Sequence, residues 1–464
     1  MFHYPYCDSR SSSVILGMTL ALFVAMIFAP SIAAQRDPAE PPGVRPVPKS
    51  IPRPAGAIAR TDIDEAGMRS LIEQLVACGT RSSLSSWDDP KHGIGCGRDS
   101  VVARLKEISH ASGDKLQIVV DKFDASSDRT NGKPVPFENV YAVLPGTDPA
   151  LAKRVFIVSG HIDSRASDVM DPQVDAPGAD DDASGVAVSV ECARLLSREA
   201  RFGGLKSRAT LIFAVVSGEE QGLLGSEHMV QWVKGQGYTV GGMLDDDIVG
   251  ADFAPGAPHR VRLFSGSGDQ DDADSSSREL ARAIEEFDGR GAIRLVFALD
   301  RLGRGGDHRP FYEAGFPAVR FTEPLEDYDH EHQTVRVEKG VEYGDRLKYL
   351  NYGFMGDVAR DNAEALRQLA LAPAAPADGK LSGGVTPNAK VSWAAPNDPE
   401  RAGFEVLWRE TTEPRWHVYD FVVSSEELVL KRVSTDNHFF AVRAVGKNGA
   451  RSIATSSGAP RKGP

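Results

Sequence analysis

The chain has 464 residues, 41% of them hydrophobic and 25% charged, with a formal net charge of −12. This length suits two or three domains, and the composition is that of a soluble globular protein. The acidic balance, with no cluster of Lys and Arg, argues against a nucleic-acid partner, because phosphate binding needs concentrated positive charge.

In chain order, Val14 to Ala29 carry no charge, Arg10 precedes them and Ser31-Ile32-Ala33-Ala34 follows. Residues 1–34 therefore read as a secretory signal peptide. The apolar run is short for a membrane span and Pro30 interrupts it, so no stable membrane insertion is expected after cleavage. The mature protein is expected to be exported, periplasmic or extracellular. Residues 35–60 are rich in proline and read as an extended linker. Cys78 and Cys96 flank a loop of Ser, Gly and Asp with little apolar content. Export favours a disulfide between them over free thiols, while Cys192 reads as a buried core thiol.

The folded region begins near Thr61, where Ile63, Met68, Leu71 and Leu75 recur at helical spacing. Beyond it, strands are expected over 116–124, 138–144, 154–160, 209–217, 241–247, 260–265, 292–298 and 317–322. Helices are expected over 98–110, 184–200, 223–235, 274–287 and 340–370. Continuous apolar runs such as Val155 to Val158 and Leu211 to Val216 suit central strands covered on both faces. The alternation predicts a three-layer α/β sandwich with a mostly parallel sheet over residues 61–371. Residues 372–384 read as a second linker, and residues 385–464 as a small all-β sandwich. Trp393 and the late FFAVRAVGKNG segment make that sandwich resemble a fibronectin type III module.

Five short segments carry chelating side chains: GHIDSR with His161 and Asp163, PGADDDASG with Asp181, VSGEEQG with Glu219 and Glu220, MLDDDIVG with Asp247, and DHEHQT with His330 and His332. Alone, GHIDSR reads as a surface loop, whereas three adjacent acids exceed what one helix cap needs and two acids after a buried strand are costly unless paired or metal-bound. Together, imidazole and carboxylate donors without thiolate suit an open catalytic zinc site. His161, Glu219, Glu220 and Asp247 fall at the ends of expected strands, where α/β sheets build their sites. Asp181 is the middle of three successive acids, and a carboxylate there can bridge two cations. Asp245 and Asp246 compete with Asp247, and His330 competes with His332, which is preferred. The residues alone do not order Glu219 and Glu220. Asp307 and His308 precede a short helix and either line the substrate pocket or serve as a helix cap and an exposed histidine.

These segments resemble the zinc-dependent peptidases that include secreted bacterial leucyl aminopeptidases, glutamate carboxypeptidase-type enzymes and glutaminyl cyclases. The resemblance covers residues 61–370 and rests chiefly on APGADDDASG and GEEQGLLGS. It implies two zinc ions per chain. His161 and Asp247 would hold one, Glu220 and His332 the other, with Asp181 as the bridge. Glu219 would be the general base and Asp163 the acid behind the histidine. It further implies amide hydrolysis on a peptide substrate, with an aminopeptidase favoured because an acidic pocket attracts a free amino terminus. Arg301 and Arg304 are available to a substrate carboxylate and keep a carboxypeptidase open. A glutaminyl cyclase would need only one zinc, and a binding protein would need none. Gly306 stands where the family commonly has serine and brings no hydroxyl to that position.

Overall fold

A computed structural model of the chain describes residue 53 and residues 57–252, 260–268 and 274–458. The expected signal peptide, and the expected linker up to residue 56 apart from Arg53, lie outside the described residues. The end of that linker is part of the folded body, since the Ile58 amide donates to Glu364 at 3.0 Å and the Ile58 side chain is buried.

The α/β region opens with α1 (Glu65–Val76) and α2 (Ile94–Ala111). A mixed set follows: β1 (Gln117–Ala125), β2 (Val135–Leu144), β3 (Arg154–His161), α3 (Ala183–Arg201), β4 (Thr210–Val216), α4 (Leu224–Gly235) and β5 (Thr239–Asp246). It continues through β6 (Val261–Ser265), α5 (Ser276–Asp288), β7 (Ile293–Val296), α6 (His308–Glu313), β8 (Ala318–Thr322), β9 (Arg336–Glu338), β10 (Val341–Tyr343) and α7 (Tyr352–Leu371). The strands build one eight-stranded sheet in the order β1-β2-β4-β3-β5-β8-β6-β7, with β9 and β10 as a separate hairpin. The central run β4-β3-β5-β8 is parallel throughout.

Alternation along each strand sends side chains to opposite faces. Phe156 and Val158 join the core under α1, α2, α3, α5 and α7. Val155 and Ile157 join the core under α4 and α6. This is the expected three-layer sandwich. A fully buried aliphatic side chain such as Ile72 or Leu211 contributes about 1.5–3 kcal/mol each. The first turn of α3 lies directly over the ends of β3 and β5. A Cβ on Gly185 would come within 1.9 Å of the Asp246 carbonyl oxygen, so only glycine permits this approach. The contact brings the acids just before α3 over the strand ends.

The helix expected over 340–370 starts later, at Tyr352. Gly340 and Gly344 adopt positive φ, which favours a turn and hairpin there. The Asn351 side chain then caps the true start by accepting from the Phe354 amide at 3.1 Å. The Cys78–Cys96 disulfide is present, with Cα atoms 5.8 Å apart, and Cys192 is free and buried. Among the described residues no helix is long and apolar enough to cross a membrane.

The C-terminal body packs a three-stranded sheet against a four-stranded one. The first is β11 (Ala377–Ser382), β12 (Ala389–Ala394) and β15 (Glu427–Leu430). The second is β14 (His417–Val422), β13 (Arg401–Glu410), β16 (His438–Gly446) and β17 (Thr455–Ser456). Within the stretch read as a linker, Ala377–Ser382 is therefore a strand paired with β12. Trp393, Phe404, Val406, Phe440 and Val442 fill the space between the sheets. The body docks on α5. Trp416 donates to Glu279 at 2.7 Å, Arg282 to the Pro414 carbonyl at 2.7 Å, and Arg415 pairs with Glu285. Arg443 pairs with Glu286 in the same seam.

Candidate metal centre and active-site cavity

The carboxyl ends of three neighbouring parallel strands supply most of the donors. His161 is the last residue of β3, Glu219 and Glu220 follow β4, and Asp247 follows β5. Asp181 arrives from the loop before α3, and His332 from the loop before β9, at a positive φ of 54°. Donor atoms of His161, Asp181 and Asp247 lie within 4.8 Å of one another, as do those of Asp181, Glu220 and His332. Asp181 is common to both groups. Its two oxygens divide between them: Oδ1 is 3.1 Å from His161 Nε2 and Oδ2 is 2.8 Å from His332 Nε2. His332 Nε2 is also 3.1 Å from Glu220 Oε1.

Nitrogen and carboxylate oxygen donors, buried and convergent, fit zinc in their chemistry. A cation also answers their electrostatics, because three carboxylates taken out of water at such range repel one another. Without it, the imidazoles carry that role. Burial would raise the Asp181 carboxyl, but His332 and His161 outweigh it and hold its pKa well below the carboxylate range. Burial lowers His332, but Glu220 and Asp181 outweigh it and raise its pKa to about 11. Glu219 belongs to neither donor group. Burial first, and then the neighbouring Glu220, Asp247 and Asp307 carboxylates, push its pKa well up.

The groups around the donors are held firmly. His161 Nδ1 lies 3.0 Å from the main-chain oxygen of Asp163, nearer than the 3.6 Å to its carboxylate. That carboxylate instead accepts the amides of Glu219 at 3.3 Å and Glu220 at 3.0 Å, and so sets the loop that carries both acids. Asp182 caps α3 through the Gly185 amide at 2.9 Å and accepts the His161 amide at 2.8 Å. Asp180 accepts the Gly250 amide at 2.6 Å. Asp245 and Asp246 are turned to His308 and Asn362, which leaves Asp247 facing the other donors. His330 stacks on Tyr349 and pairs with Asp327, away from the centre.

Three supporting residues escape the sequence reading. Arg320 is fully buried and reaches Asp247 at 3.0 Å and Asp300 at 3.2 Å. Its signal was a lone charge inside the apolar strand AVRFT. Arg81, also buried, donates to the carbonyls of Ile162, Pro177 and Gly178 and ties the loop after β3 to the loop before α3. Asp345 accepts the amides of Asp180 and Asp181 at 2.8 Å. Neither of these last two carries a local sequence signal.

A cavity of about 550 Å³ opens beside the donors and is lined by Asp181, Glu219, Glu220, Asp247 and His332. Arg129, Arg165, Arg301, Arg304 and Arg309 line it too, so its wall beyond the acids at the metal site is cationic, not acidic as expected. Asp307 and His308, read as possible pocket residues, do not line it. His308 is fully buried, with one ring nitrogen 3.1 Å from Asp245 and the other 2.9 Å from the Leu299 carbonyl. Asp307 makes no side-chain cap to α6 and is buried beneath the site. The lack of a serine at position 306 has a steric reason. A Cβ there would lie 2.8 Å from Asp245 Oδ2 and 2.9 Å from Arg320 Nη1, so glycine makes room for the buried arginine.

A parallel sheet whose strand ends gather two imidazole–carboxylate groups around one shared aspartate, with a further free acid in the same cavity, defines a metal-dependent hydrolase. Residues 139–342 match peptidase family M28. A probable zinc metalloprotease of Pyricularia oryzae is 38% identical over 425 residues, 85% of this chain and 82% of that protein. A probable zinc metalloprotease of Pyrenophora tritici-repentis is 35% identical over 433 residues, 87% of each chain. The fold is shared with LapB from Legionella pneumophila, at a TM-score of 0.50 and 20% identity, over 70% of this chain and 78% of that one. The chain belongs to peptidase family M28, as a zinc metalloprotease.

Proposed function

We propose that the protein is an exported two-zinc exopeptidase that removes N-terminal residues from peptides. The observation that carries this reading is the division of Asp181 between two donor groups, with Glu219 in the same cavity and in neither group. His161 and Asp247 would hold one zinc, Glu220 and His332 the other, and Asp181 would bridge them. Bound zinc supplies a lowered pKa for water and polarisation of the scissile carbonyl. Glu219 would accept the proton of the attacking water and return it to the leaving amine. Asp163 acts through the two amides it holds, keeping Glu219 and Glu220 at fixed positions. A shared bridge speaks against a one-zinc cyclase. Export is supported by the sequence of residues 1–34 and by the Cys78–Cys96 bridge. The 3 + 4 strand division and Trp393 in the core support a fibronectin type III-like C-terminal module after the catalytic domain.

One observation favours a second reading, a carboxypeptidase. Arg301 and Arg304 line the cavity, and a guanidinium there can receive a substrate carboxylate. The test is hydrolysis of peptides with free and blocked amino termini by the zinc-loaded protein, alongside zinc counting. The expected result is cleavage of free-amine peptides, with Glu219→Gln keeping its zinc and losing about 10²- to 10⁴-fold in kcat. Cleavage of N-blocked peptides with a free C-terminus would establish the second reading instead. Loss of zinc with Glu219→Gln would remove Glu219 from the role of base.

A further inference from the structure

The arginines on the wall of the 550 Å³ cavity come without matching acids. Apart from Asp181, Glu219, Glu220 and Asp247 at the candidate metal centre, the one acid lining it among the described residues is Asp128. Two zinc ions would neutralise those four carboxylates. Five guanidinium groups then stand against one carboxylate, in a chain whose net charge is −12. Among the described residues Leu223 is the one aliphatic side chain on the wall, so the surface offers little to an apolar substrate residue. A concave wall of one sign concentrates its field on whatever enters.

The arginines differ in how they are engaged. Arg301 pairs with Asp300 at 3.0 Å and with Glu326, and Arg309 pairs with Glu313 at 2.7 Å. Arg165 donates to the carbonyls of Ala166 and Ser167 and stands 3.7 Å from Glu220. Among the described residues, the Arg304 side chain has no hydrogen-bond or ion-pair partner, and Arg129 has no carboxylate partner. Both are nevertheless placed by their loops. The Arg304 amide donates to the Arg301 carbonyl at 3.1 Å, closing a turn with Gly303 at a φ of 71°. Arg301, held by its two acids, anchors that turn. Arg129 Nη1 donates to the Glu220 carbonyl at 2.7 Å, and the nearby Ser127 hydroxyl donates to the Gln221 carbonyl at 2.6 Å. The Arg129 loop is thereby fastened to the loop that carries Glu219 and Glu220. A guanidinium fork with no carboxylate of its own is a receptor for one from outside.

We propose that this wall selects peptides with an Asp or Glu side chain at one of their first two positions, and that Arg304 and Arg129 receive the carboxylate. The proposal rests on the aminopeptidase reading, in which the free amine lies against the acids of the metal site and the side chains meet the arginines beyond. The recognised carboxylate belongs to a side chain, not to the chain terminus.

The test uses the full-length, zinc-loaded protein at neutral pH. Its peptides have a free amino terminus and an amidated C-terminus, so that a side chain carries the only carboxylate. Glu is compared with Gln, of the same shape, at the first and at the second position. Glu at one of them is expected to raise kcat/KM about tenfold or more over Gln, the worth of one charge-assisted contact. Arg304→Gln and Arg129→Gln are each expected to lower that ratio about threefold or more, with Arg304→Lys between parent and Gln. Raising salt from about 0.05 M to about 0.5 M is expected to shrink the parent's ratio. Calorimetric binding of the same peptides to Glu219→Gln, expected to favour Glu by a similar factor, reads the wall without turnover. Equal handling of Glu and Gln by the parent in both assays, or an undiminished ratio when Arg304→Gln and Arg129→Gln are combined, would overturn the proposal. So would a preference confined to peptides with a free C-terminus, which would point to the carboxypeptidase reading. Failure of the aminopeptidase reading shows differently, as no turnover of free-amine peptides while the binding preference for Glu persists.

Discussion

Replacing Arg320 by Met isolates the contribution of the buried guanidinium beneath the candidate metal centre. Arg320 reaches Asp247 at 3.0 Å and Asp300 at 3.2 Å, and donates to the Gly305 carbonyl at 2.7 Å. At 3.0 Å and an effective dielectric of about 20, the attraction to Asp247 alone is about 5 kcal/mol. Methionine fills a similar volume but leaves both carboxylates short of a partner. Asp300 keeps Arg301 at 3.0 Å, so Asp247 bears most of the loss. Breaking one side of a buried pair costs about 3–5 kcal/mol, which for a domain of this size lowers Tm by about 5–10 °C. Scanning calorimetry of metal-free protein measures that shift. Zinc competition against a chelator measures the second effect, a weakening of about 10- to 100-fold as Asp247 loses its orienting partner. Arg320→Lys keeps the charge but not the two-pronged geometry and should fall between parent and Met. A methionine variant with the parent's Tm and zinc affinity would refute the reasoning.

Asp300 gives a pH prediction. Burial raises its carboxyl, but Arg320, His308 and Arg301 outweigh it and bring the pKa to about 2, against an ordinary 3.8. The group therefore stabilises the fold above the unfolded value and loses that contribution as pH falls through about 2, a swing of about 2 kcal/mol. Asp300→Asn should flatten the fall in Tm between pH 4 and pH 2, and parallel curves would count against it. His332→Ala should remove about half of the bound zinc by elemental analysis, whereas His330→Ala should retain it; the reverse pattern would reassign the donor. Reducing the Cys78–Cys96 bridge, which spans 18 residues, should lower stability by about 3 kcal/mol, read as a lower Tm in the presence of a phosphine reductant.

The sheet was legible because its strands are long apolar runs, and its donors because they directly follow those runs. Val155 to Val158 leads to His161, and Leu211 to Val216 leads to Glu219 and Glu220. What escaped depends on contacts remote along the chain. Arg320 acts on Asp247 and Asp300, and Asp345 on amides at Asp180 and Asp181, pairings that no local pattern encodes. His308 was ambiguous because a histidine beside a helix start can face either way; Asp245 and the Leu299 carbonyl turn it inward. α7 starts later than expected because Val341 and Tyr343 pair with β9 in a hairpin, Gly344 turns at positive φ, and the Asn351 side chain caps the helix only after that turn. The cationic wall of the cavity was only partly visible. Arg301 and Arg304 stood out near the donors, whereas Arg129 and Arg165 arrive from other loops.

The seam along α5 is fastened by direction as much as by proximity. One side of the helix presents Leu280, Ile284 and Phe287 to the core, a grip indifferent to small rotations. Its other side meets the C-terminal body through guanidinium forks and carboxylates, as in Arg415 on Glu285 and Arg443 on Glu286. Planar forks fix angle together with distance. The trailing body is thereby pinned at one bearing, like a tenon in its mortise, and whatever it leans against would see the peptidase mouth from a constant quarter.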